Sequence, residues 1–287
     1  MSSPRRDKPV VWPGGPSLQG PHRVGAFAMC PQLEAWSQEL HLRPILEKPA
    51  TFIGTLVHAG LAYRYAAQLA QRPEWFVYKD GYEAINMLGA TQPDMRDCAL
   101  NMFAAYEEKY RNDSWRAVLV EHQFVVHFPN GEPYSARTDL LVWDDGEYVL
   151  VDHKSVGKLS GTIRGKYSTD RQMMTGLALS RACGYDVRHI VINALTREMP
   201  FPNFKRYYID VNPAAYASLG RDTLYTLDRM AEVRRQFPNP ADRPRNWDAC
   251  LTKWGFCDYF GLCTGTGGMH DFHVPEEYKD GRQKKGT

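Results

Sequence analysis

The chain has 287 residues, of which 43% are hydrophobic and 24% charged, values typical of a globular protein with one large domain or two small ones. This composition excludes wholesale disorder. The net charge of +2 excludes a histone-like protein that holds nucleic acid by charge over its whole surface, so nucleic acid would have to bind a local basic patch. No apolar run reaches about 18 residues and the N-terminus has no signal-peptide pattern, so we expect a cytoplasmic protein with no membrane contact.

The first segment, 1–23, holds five prolines and three glycines and is predicted to be an extended arm. Apolar residues then recur with the period of helices and later with that of strands. In chain order, the pattern predicts helices over 51–72 and 93–111, strands over 117–128, 134–143 and 147–154, a loop over 155–168, a helix from Thr169 to just before Gly184, strands over 187–195 and 207–211, and a helix over 213–236. This order predicts an α/β core built as helix, three strands, helix and strand, with helical additions and a C-terminal cysteine-bearing segment.

An acidic hairpin is predicted around Asp145-Gly146, a dipeptide typical of two-residue turns. The register that this turn sets places Asp139 opposite Asp152, with Cβ atoms about 5 Å apart. Two carboxylates this close repel each other unless a cation lies between them, and hard cations such as Mg²⁺ and Mn²⁺ prefer carboxylate ligands. The alternative is a solvated face on a half-buried hairpin.

Side-chain alternation along the third predicted strand adds a lysine to this face. Asp152 and Lys154 project to one side of the strand and His153 to the other. An ammonium group there can polarise an attacking water or stabilise charge on a phosphate. Glu121, on the first predicted strand, is a further candidate carboxylate, and the alternative for it is an ordinary surface residue.

Three cysteines near the C-terminus follow the pattern Cys250-x6-Cys257-x5-Cys263. This spacing differs from the Cys-x2-Cys pairs of zinc ribbons. Three thiolates that bind a metal need a fourth ligand, for which Cys30 is the candidate. The alternative is that these cysteines are buried as small hydrophobic residues. The two remaining cysteines are predicted to be free thiols: Cys98 and Cys183.

The chain contains, in order, Gly54-x-x-x-His58 on a predicted helix, Asp139 after a strand pairing, Asp152-x-Lys154, and Gln172 on the next helix. Motifs in this order resemble those of the PD-(D/E)XK nucleases. The nearest branch is the RecB-like exonucleases, which include CRISPR-adaptation nucleases and many phage-encoded relatives. The resemblance spans Gly54 to Cys263 and implies a PD-(D/E)XK (restriction-endonuclease-like) core. Two positions depart from the family pattern, which usually has glycine and tyrosine where this chain has Ala136 and Gly176.

The resemblance implies a role for each motif residue. Lys154 would be the catalytic lysine, and Gln172 would position the DNA or the lysine, with Glu121 as a further catalytic candidate. The ligands of Mg²⁺ or Mn²⁺ would be His58, Asp139, Asp152 and the backbone carbonyl of His153.

RecB-like nucleases with an iron–sulfur cluster bind it through one N-terminal and three C-terminal cysteines. The resemblance therefore implies a 4Fe-4S cluster in this chain, and Zn²⁺ is the alternative metal. Its ligands would be Cys30, Cys250, Cys257 and Cys263.

The predicted loop after the third strand is basic and contains glycines, so it could hold a DNA backbone beside the metal. A solvated loop is the alternative. Tyr167 could stack on an unpaired base. The candidate DNA-binding residues are Lys158, Arg164, Lys166 and Arg171.

These expectations predict a divalent-metal-dependent DNA exonuclease that hydrolyses phosphodiester bonds in DNA recombination, repair or processing, in the cytoplasm of a bacterial or phage-infected cell. Its partners would be DNA with free ends and recombination or replication proteins. The main alternative is a non-catalytic, metal-stapled DNA-binding or adaptor protein on a decayed nuclease fold, and a third is a zinc-stabilised interaction protein that binds no DNA. The expected domains are the arm over 1–23, a nuclease domain over 24–236, a cysteine segment over 237–268 that packs back on Cys30, and a polar tail over 269–287.

Overall fold

The computed structural model describes residues 19–70, 74–128, 131, 133–252, 255–275 and 278. The backbone forms two compact units: the first is Lys48–Tyr216, and the second joins Leu18–Glu47 to Ala217–Thr287. The boundaries of these units differ from the predicted domain boundaries. Residues 24–47 and 217–236, predicted to belong to the nuclease domain, lie in the unit that contains the cysteine segment. The predicted arm lies outside the described residues up to residue 18, and from Pro21 it is helical rather than extended.

The helices of the described residues are α1 (Pro21–Met29), α2 (Pro31–Glu34), α3 (Pro49–Leu69), α4 (Glu74–Leu88), α5 (Pro93–Lys109), α6 (Ile163–Ser168), α7 (Arg171–Ala182), α8 (Pro213–Gln236) and α9 (Phe260–Thr264). The strands are β1 (Arg43–Pro44), β2 (Arg116–His127), β3 (Pro133–Asp144), β4 (Glu147–Val156), β5 (Val187–Thr196), β6 (Phe204–Ile209), β7 (Leu251–Thr252), β8 (Gly255–Phe256) and β9 (Phe272–His273). Short π or 3-10 turns lie at Ala35–Glu39, Pro240–Asp242, Trp247–Ala249 and Met269–Asp271. Within this part of the chain, no helix combines the length and the apolar character needed to cross a bilayer.

The first unit is built on a five-stranded sheet in the order β2-β3-β4-β5-β6, in which β4 and β5 are parallel and the other neighbours antiparallel. The β3–β4 connection is the predicted two-residue turn. Asp145 and Gly146 both have positive φ values, 44° and 90°, as a tight turn between twisted strands requires. The ladder that starts at this turn reaches Leu140 paired with Val151, which confirms the predicted register.

Helices cover both faces of this sheet. On one face, Leu140 and Val151 pack with Tyr65 of α3. On the other face, Leu150 packs with Leu177 of α7 and with α6. Both faces of β4 are therefore buried, which explains its nearly continuous apolar run and confirms the predicted α/β class.

Close packing of α3, α4 and α5 depends on glycines. A Cβ at Gly60 would lie 2.7 Å from Ile85 Cδ1, and a Cβ at Gly81 would lie 2.5 Å from Phe103 Cζ. The sequence pattern does not predict α4, because Gly81 interrupts it and glycine is a poor helix former. Its place in the fold is set by packing rather than by local propensity.

Other predicted boundaries shift by a few residues. The segment predicted as a loop over 155–168 contains the end of β4 and the short helix α6. Helix α7 begins at Arg171, two residues after the predicted start at Thr169, and its N-cap is Asp170, whose side chain accepts a hydrogen bond of 3.1 Å from the Met173 N–H. β6 begins and ends earlier than predicted, whereas α8 has the predicted bounds.

The second unit pairs an N-terminal segment with a C-terminal one. Strand β1 pairs with β9, which lies inside the segment predicted as a polar tail. The Tyr259 hydroxyl donates a 2.7 Å hydrogen bond to the Leu42 carbonyl. The buried Glu34 carboxylate pairs with Arg23 at 2.6 Å and with Arg234 at 2.8 Å. Apolar packing and buried ion pairs thus both hold this unit.

Candidate active site

Three carboxylates lie side by side on adjacent strands. The β2–β3 register places Glu121 opposite Asp139, and the β3–β4 register, continued by one step, places Asp152 on the other side of Asp139. Glu121 and Asp152 are buried and Asp139 is half-buried. The backbone of Glu121 has a φ of 48°, which residues other than glycine rarely adopt within a strand. Backbone strain of this kind is typical of functional sites.

Asp139 is the centre of the site. Its Oδ2 accepts a 2.8 Å hydrogen bond from the backbone N–H of His153 and lies 3.4 Å from His58 Nδ1 of α3. Burial alone would raise the pKa of Asp139, but the charges of His58, His153 and Lys154 outweigh it and hold that pKa below its ordinary value. Asp139 is therefore ionised at neutral pH.

The pKa of the neighbouring Glu121 is shifted in the opposite direction, upward. Burial raises its pKa to about 8, and the charge of Asp139 adds to this effect, although Arg137 Nε lies 3.3 Å from Glu121 Oε2. At neutral pH and without a cation, Glu121 is therefore largely protonated. A divalent cation would replace that proton.

The donor set suits such a cation. His58, Glu121 and Asp139 each offer one ligand atom, and these atoms all lie within 4.8 Å of one another. Carboxylate oxygens suit both Mg²⁺ and Mn²⁺, and an imidazole nitrogen favours Mn²⁺. The residues present thus fit the divalent metal that the sequence motifs imply.

Lys154 and Gln172 both contact Asp152. Lys154 Nζ lies 2.7 Å from Asp152 Oδ2, and the Gln172 side-chain amide donates a 3.3 Å hydrogen bond to Asp152 Oδ1. Burial raises the pKa of Asp152 to about 6, against the lowering effect of Lys154. Burial would lower the pKa of Lys154, but Asp152 and Asp139 outweigh it and raise that pKa above its ordinary value. Lys154 therefore remains an ammonium group.

The structure brings most of the predicted site residues together. His58, Glu121 and Asp139 form one cluster, and Asp152 pairs with Lys154 and Gln172 beside it. The backbone of His153 faces Asp139, whereas its side chain is buried on the other side of β4, as strand alternation predicts. The individual roles of these residues stay predictions.

Sequence reasoning missed several groups that contact the site. Arg137 is one of them, with its Nε 3.3 Å from Glu121 Oε2. The Arg197 guanidinium donates to the backbone oxygen and the hydroxyl of Ser155 at 2.9 and 3.1 Å, directly after Lys154 on β4. Asn193 contacts the His153 ring, and within an apolar strand pattern no signal distinguishes it. Only Arg137 had a usable signal in the sequence, because it lies two residues before Asp139 in an Arg-x-Asp motif.

The predicted basic loop has two parts. Lys158 is exposed before α6, and Arg164 and Lys166 are exposed on it, while Arg171 is half-buried at the start of α7. Tyr167 is buried, so the expectation that it stacks on an unpaired base is wrong. Its ring is part of the core between α6 and the sheet, with Lys166 Nζ 4.7 Å from its centroid.

The four predicted cysteine ligands line one cavity of the second unit, together with residues that include Trp36, Asn246 and Tyr259. The Asn246 N–H lies 3.4 Å from the Cys30 sulfur, and the Cys257 N–H donates to the Cys250 carbonyl at 2.8 Å. The fold thus brings Cys30 to the same cavity as the three C-terminal cysteines, more than two hundred residues away in the sequence. None of the six cysteines, all of which lie in the described residues, forms a disulfide, and Cys98 and Cys183 do not line this cavity.

Burial raises the pKa of Cys250 and of Cys257, and the neighbouring thiols contribute to both shifts. Without a metal these thiols are therefore protonated at neutral pH. Metal binding would release their protons.

The sequence pattern of the PD-(D/E)XK nuclease superfamily matches residues 21–264. A proposed exonuclease from Eubacterium rectale has a similar structure, with a TM-score of 0.54 and 12% identity over 87% of this chain and 88% of that one. Another solved protein, SSO0001, has a TM-score of 0.31 and 13% identity over 68% of this chain and 84% of its own, too low a similarity to bear on the fold. No curated protein sequence matches. Because the matched region includes the sheet, its three carboxylates and the adjoining lysine, this chain belongs to the PD-(D/E)XK nuclease superfamily.

Proposed function

We propose that this protein is a divalent-metal-dependent DNA exonuclease of the RecB-like branch. The proposal rests on the cluster of His58, Glu121 and Asp139 beside the Asp152–Lys154 pair, in a superfamily of nucleases that use divalent metals. A decayed, non-catalytic relative would be expected to lack one of these groups, and all of them are present.

A divalent cation held by His58, Glu121 and Asp139, with Asp152 and the His153 carbonyl as the further ligands that the motifs imply, would activate water and neutralise phosphate charge. The residues of the chain supply the rest. Asp139 is held in place by the His153 N–H. Lys154, kept as an ammonium by Asp152, can donate a hydrogen bond to the attacking water or to a phosphoryl oxygen. Gln172 binds the other oxygen of Asp152 and so orients the carboxylate toward Lys154.

DNA with free ends is the proposed substrate. The motif order is that of RecB-like exonucleases, and the Eubacterium rectale protein of similar fold is itself named as an exonuclease. The exposed Lys158, Arg164 and Lys166, with Arg171 beside them, can neutralise phosphates of the backbone. The proposed setting is DNA recombination, repair or processing, with recombination or replication proteins, in the cytoplasm of a bacterial or phage-infected cell.

A 4Fe-4S cluster is the proposed ligand of the four cysteines. This proposal is supported by the resemblance to RecB-like nucleases that bind a cluster through one N-terminal and three C-terminal cysteines, and by the cavity that Cys30, Cys250, Cys257 and Cys263 all line. Zn²⁺ is the alternative metal.

The test of the activity is digestion of end-labelled linear DNA and of covalently closed circles with Mg²⁺ or Mn²⁺. We expect linear DNA to be degraded from its ends and circles to persist. Lys154→Ala should abolish degradation, whereas Lys205→Ala, which removes an exposed lysine on β6, should leave it unchanged. Nicking of circles at the same rate would indicate an endonuclease, and DNA binding without any cleavage would indicate the adaptor alternative.

A further inference from the structure

A chain of buried polar groups lies on the side of β4 that faces away from the carboxylates. The side chains of His153 and Asn193 are almost fully buried, 3% and 0% exposed. The Asn193 amide nitrogen lies 2.8 Å from His153 Nδ1 and donates a 3.0 Å hydrogen bond to the Tyr106 hydroxyl. The Tyr106 hydroxyl in turn lies 2.8 Å from that of Tyr65. Residues of α3, α5, β4 and β5 are thereby joined in one network.

The His153 ring is also fixed by its ring contacts. The Tyr65 ring lies nearly parallel to it, with centroids 5.9 Å apart and an angle of 14°. The His58 ring meets it edge-on, also at 5.9 Å and at an angle of 88°. Behind Tyr65, the Arg64 guanidinium lies 4.7 Å from the tyrosine ring and pairs with Glu107. The orientation of His153 is therefore determined from several directions.

The polar side chains of this network lie in an otherwise apolar core. Burying them is unfavourable unless they are hydrogen-bonded, and apolar side chains of similar size often give equal or greater stability. Buried polar networks can, however, specify one geometry, here through the amide nitrogen of Asn193, whose amide oxygen is buried without a hydrogen-bond partner among the described residues. The geometry specified here is that of the peptide between Asp152 and His153, whose N–H binds Asp139 at 2.8 Å.

We propose that Asn193 is a positioning residue for the candidate metal centre. Through the His153 ring it fixes the backbone of β4 between Asp152 and Lys154, and so fixes the direction in which the His153 N–H holds Asp139. This inference rests on the proposed function, because it assigns to the network a purpose in binding the divalent metal. Asn193 does not itself touch the three carboxylates.

The test is a titration with Mn²⁺ alone, in which free Mn²⁺ is measured by electron paramagnetic resonance, with thermal unfolding of the metal-free protein recorded in parallel. Asn193→Leu should weaken Mn²⁺ binding about tenfold to a hundredfold, the effect typical of losing a group that orients a metal ligand. His153→Phe keeps the backbone and a ring at this position and should weaken binding by the same factor. The double variant should lose no more than either single variant, because both break the same contact.

The matched control is Ser180→Ala, which removes another buried hydrogen bond of the same unit, from the Ser180 hydroxyl to the Leu177 carbonyl at 3.0 Å. It should lower the thermal midpoint without changing Mn²⁺ binding. If Asn193→Leu and His153→Phe behave like this control, the network is only structural and the inference is wrong. If Asn193→Leu does not fold, the Mn²⁺ binding and thermal midpoint of His153→Phe are compared with those of Ser180→Ala, and this comparison decides in the same way. A wild-type protein that binds no Mn²⁺ would instead overturn the metal centre, and this inference with it.

Discussion

Substitution of Glu121 by glutamine should make the metal-free protein more stable at high pH. Burial raises the pKa of Glu121 from its ordinary value of 4.5 to about 8. Below pH 4.5 the carboxyl is protonated in both the folded and the unfolded state, so its ionisation does not change the free energy of unfolding. As the pH rises from 4.5 to 8, only the unfolded state releases the proton freely, and the free energy of unfolding falls by on the order of 5 kcal/mol. Glutamine cannot release a proton, so Glu121→Gln avoids this loss.

The assay is thermal unfolding in a chelator at pH 5 and at pH 8.5. At about 2–4 °C per kcal/mol, the midpoint of Glu121→Gln should exceed that of the wild type by roughly 10 °C at pH 8.5 and should be similar to it at pH 5. Glu108→Gln, which removes an exposed carboxylate of α5, should follow the wild type at both pH values. Added Mn²⁺ should stabilise the wild type more than Glu121→Gln. Equal pH dependence of the wild type and Glu121→Gln would refute the assignment of this carboxyl to a buried, repulsive site.

Three further predictions concern the reaction, the cysteine site and the helix packing. Asp152→Ala should abolish cleavage of linear DNA and lower the metal-free melting temperature, because it leaves the half-buried Lys154 ammonium, 2.7 Å from Asp152 Oδ2 in the wild type, without its carboxylate partner; a gel assay and calorimetry check both results. Protein made anaerobically should be brown. Cys257→Ala should lose the visible absorbance, whereas the control Cys183→Ala, at an exposed free thiol, should keep it. A colourless protein with one equivalent of zinc would contradict the cluster. Gly81→Ala should destabilise the protein by about 1–3 kcal/mol in a urea titration, since its Cβ would lie 2.5 Å from an aromatic ring of α5. The control Gly220→Ala, with open space around it in α8, should be neutral or stabilising in the same titration.

The acidic hairpin could be predicted from the sequence because a two-residue turn leaves one register. Asp145-Gly146 adopts the positive φ values that this turn needs, and every later pair of β3 and β4 follows from it. The position of Glu121 could not be predicted in the same way. Strand β2 joins β3 through a longer connection, and a connection of that length does not by itself fix one register, so only the fold shows that Glu121 lies opposite Asp139.

Positions set by long-range packing escaped prediction. Asn193 lies in an apolar strand, and its partner Tyr106 comes from a helix far away in the sequence, so only the fold shows that they meet. Gly176, where family members usually have tyrosine, is a similar case. A Cβ there would lie 3.0 Å from Leu150 Cδ2, so α7 packs closely on β4 in this chain and a larger residue would require the Leu150 side chain to shift.

The second unit has a consequence for the order of events during synthesis. It combines Leu18–Glu47 with Ala217–Thr287, whereas the residues of the sheet lie between these two segments. On a ribosome, domains generally fold in the order in which they emerge. The sheet can therefore form before the three cysteines that line the cavity with Cys30 are made, since they are translated more than two hundred residues later. Any metal or cluster bound by all four thiols could be inserted only after Cys263 is translated, and a chain that ends before Cys250 would contain the acidic hairpin and Cys30 without the other three.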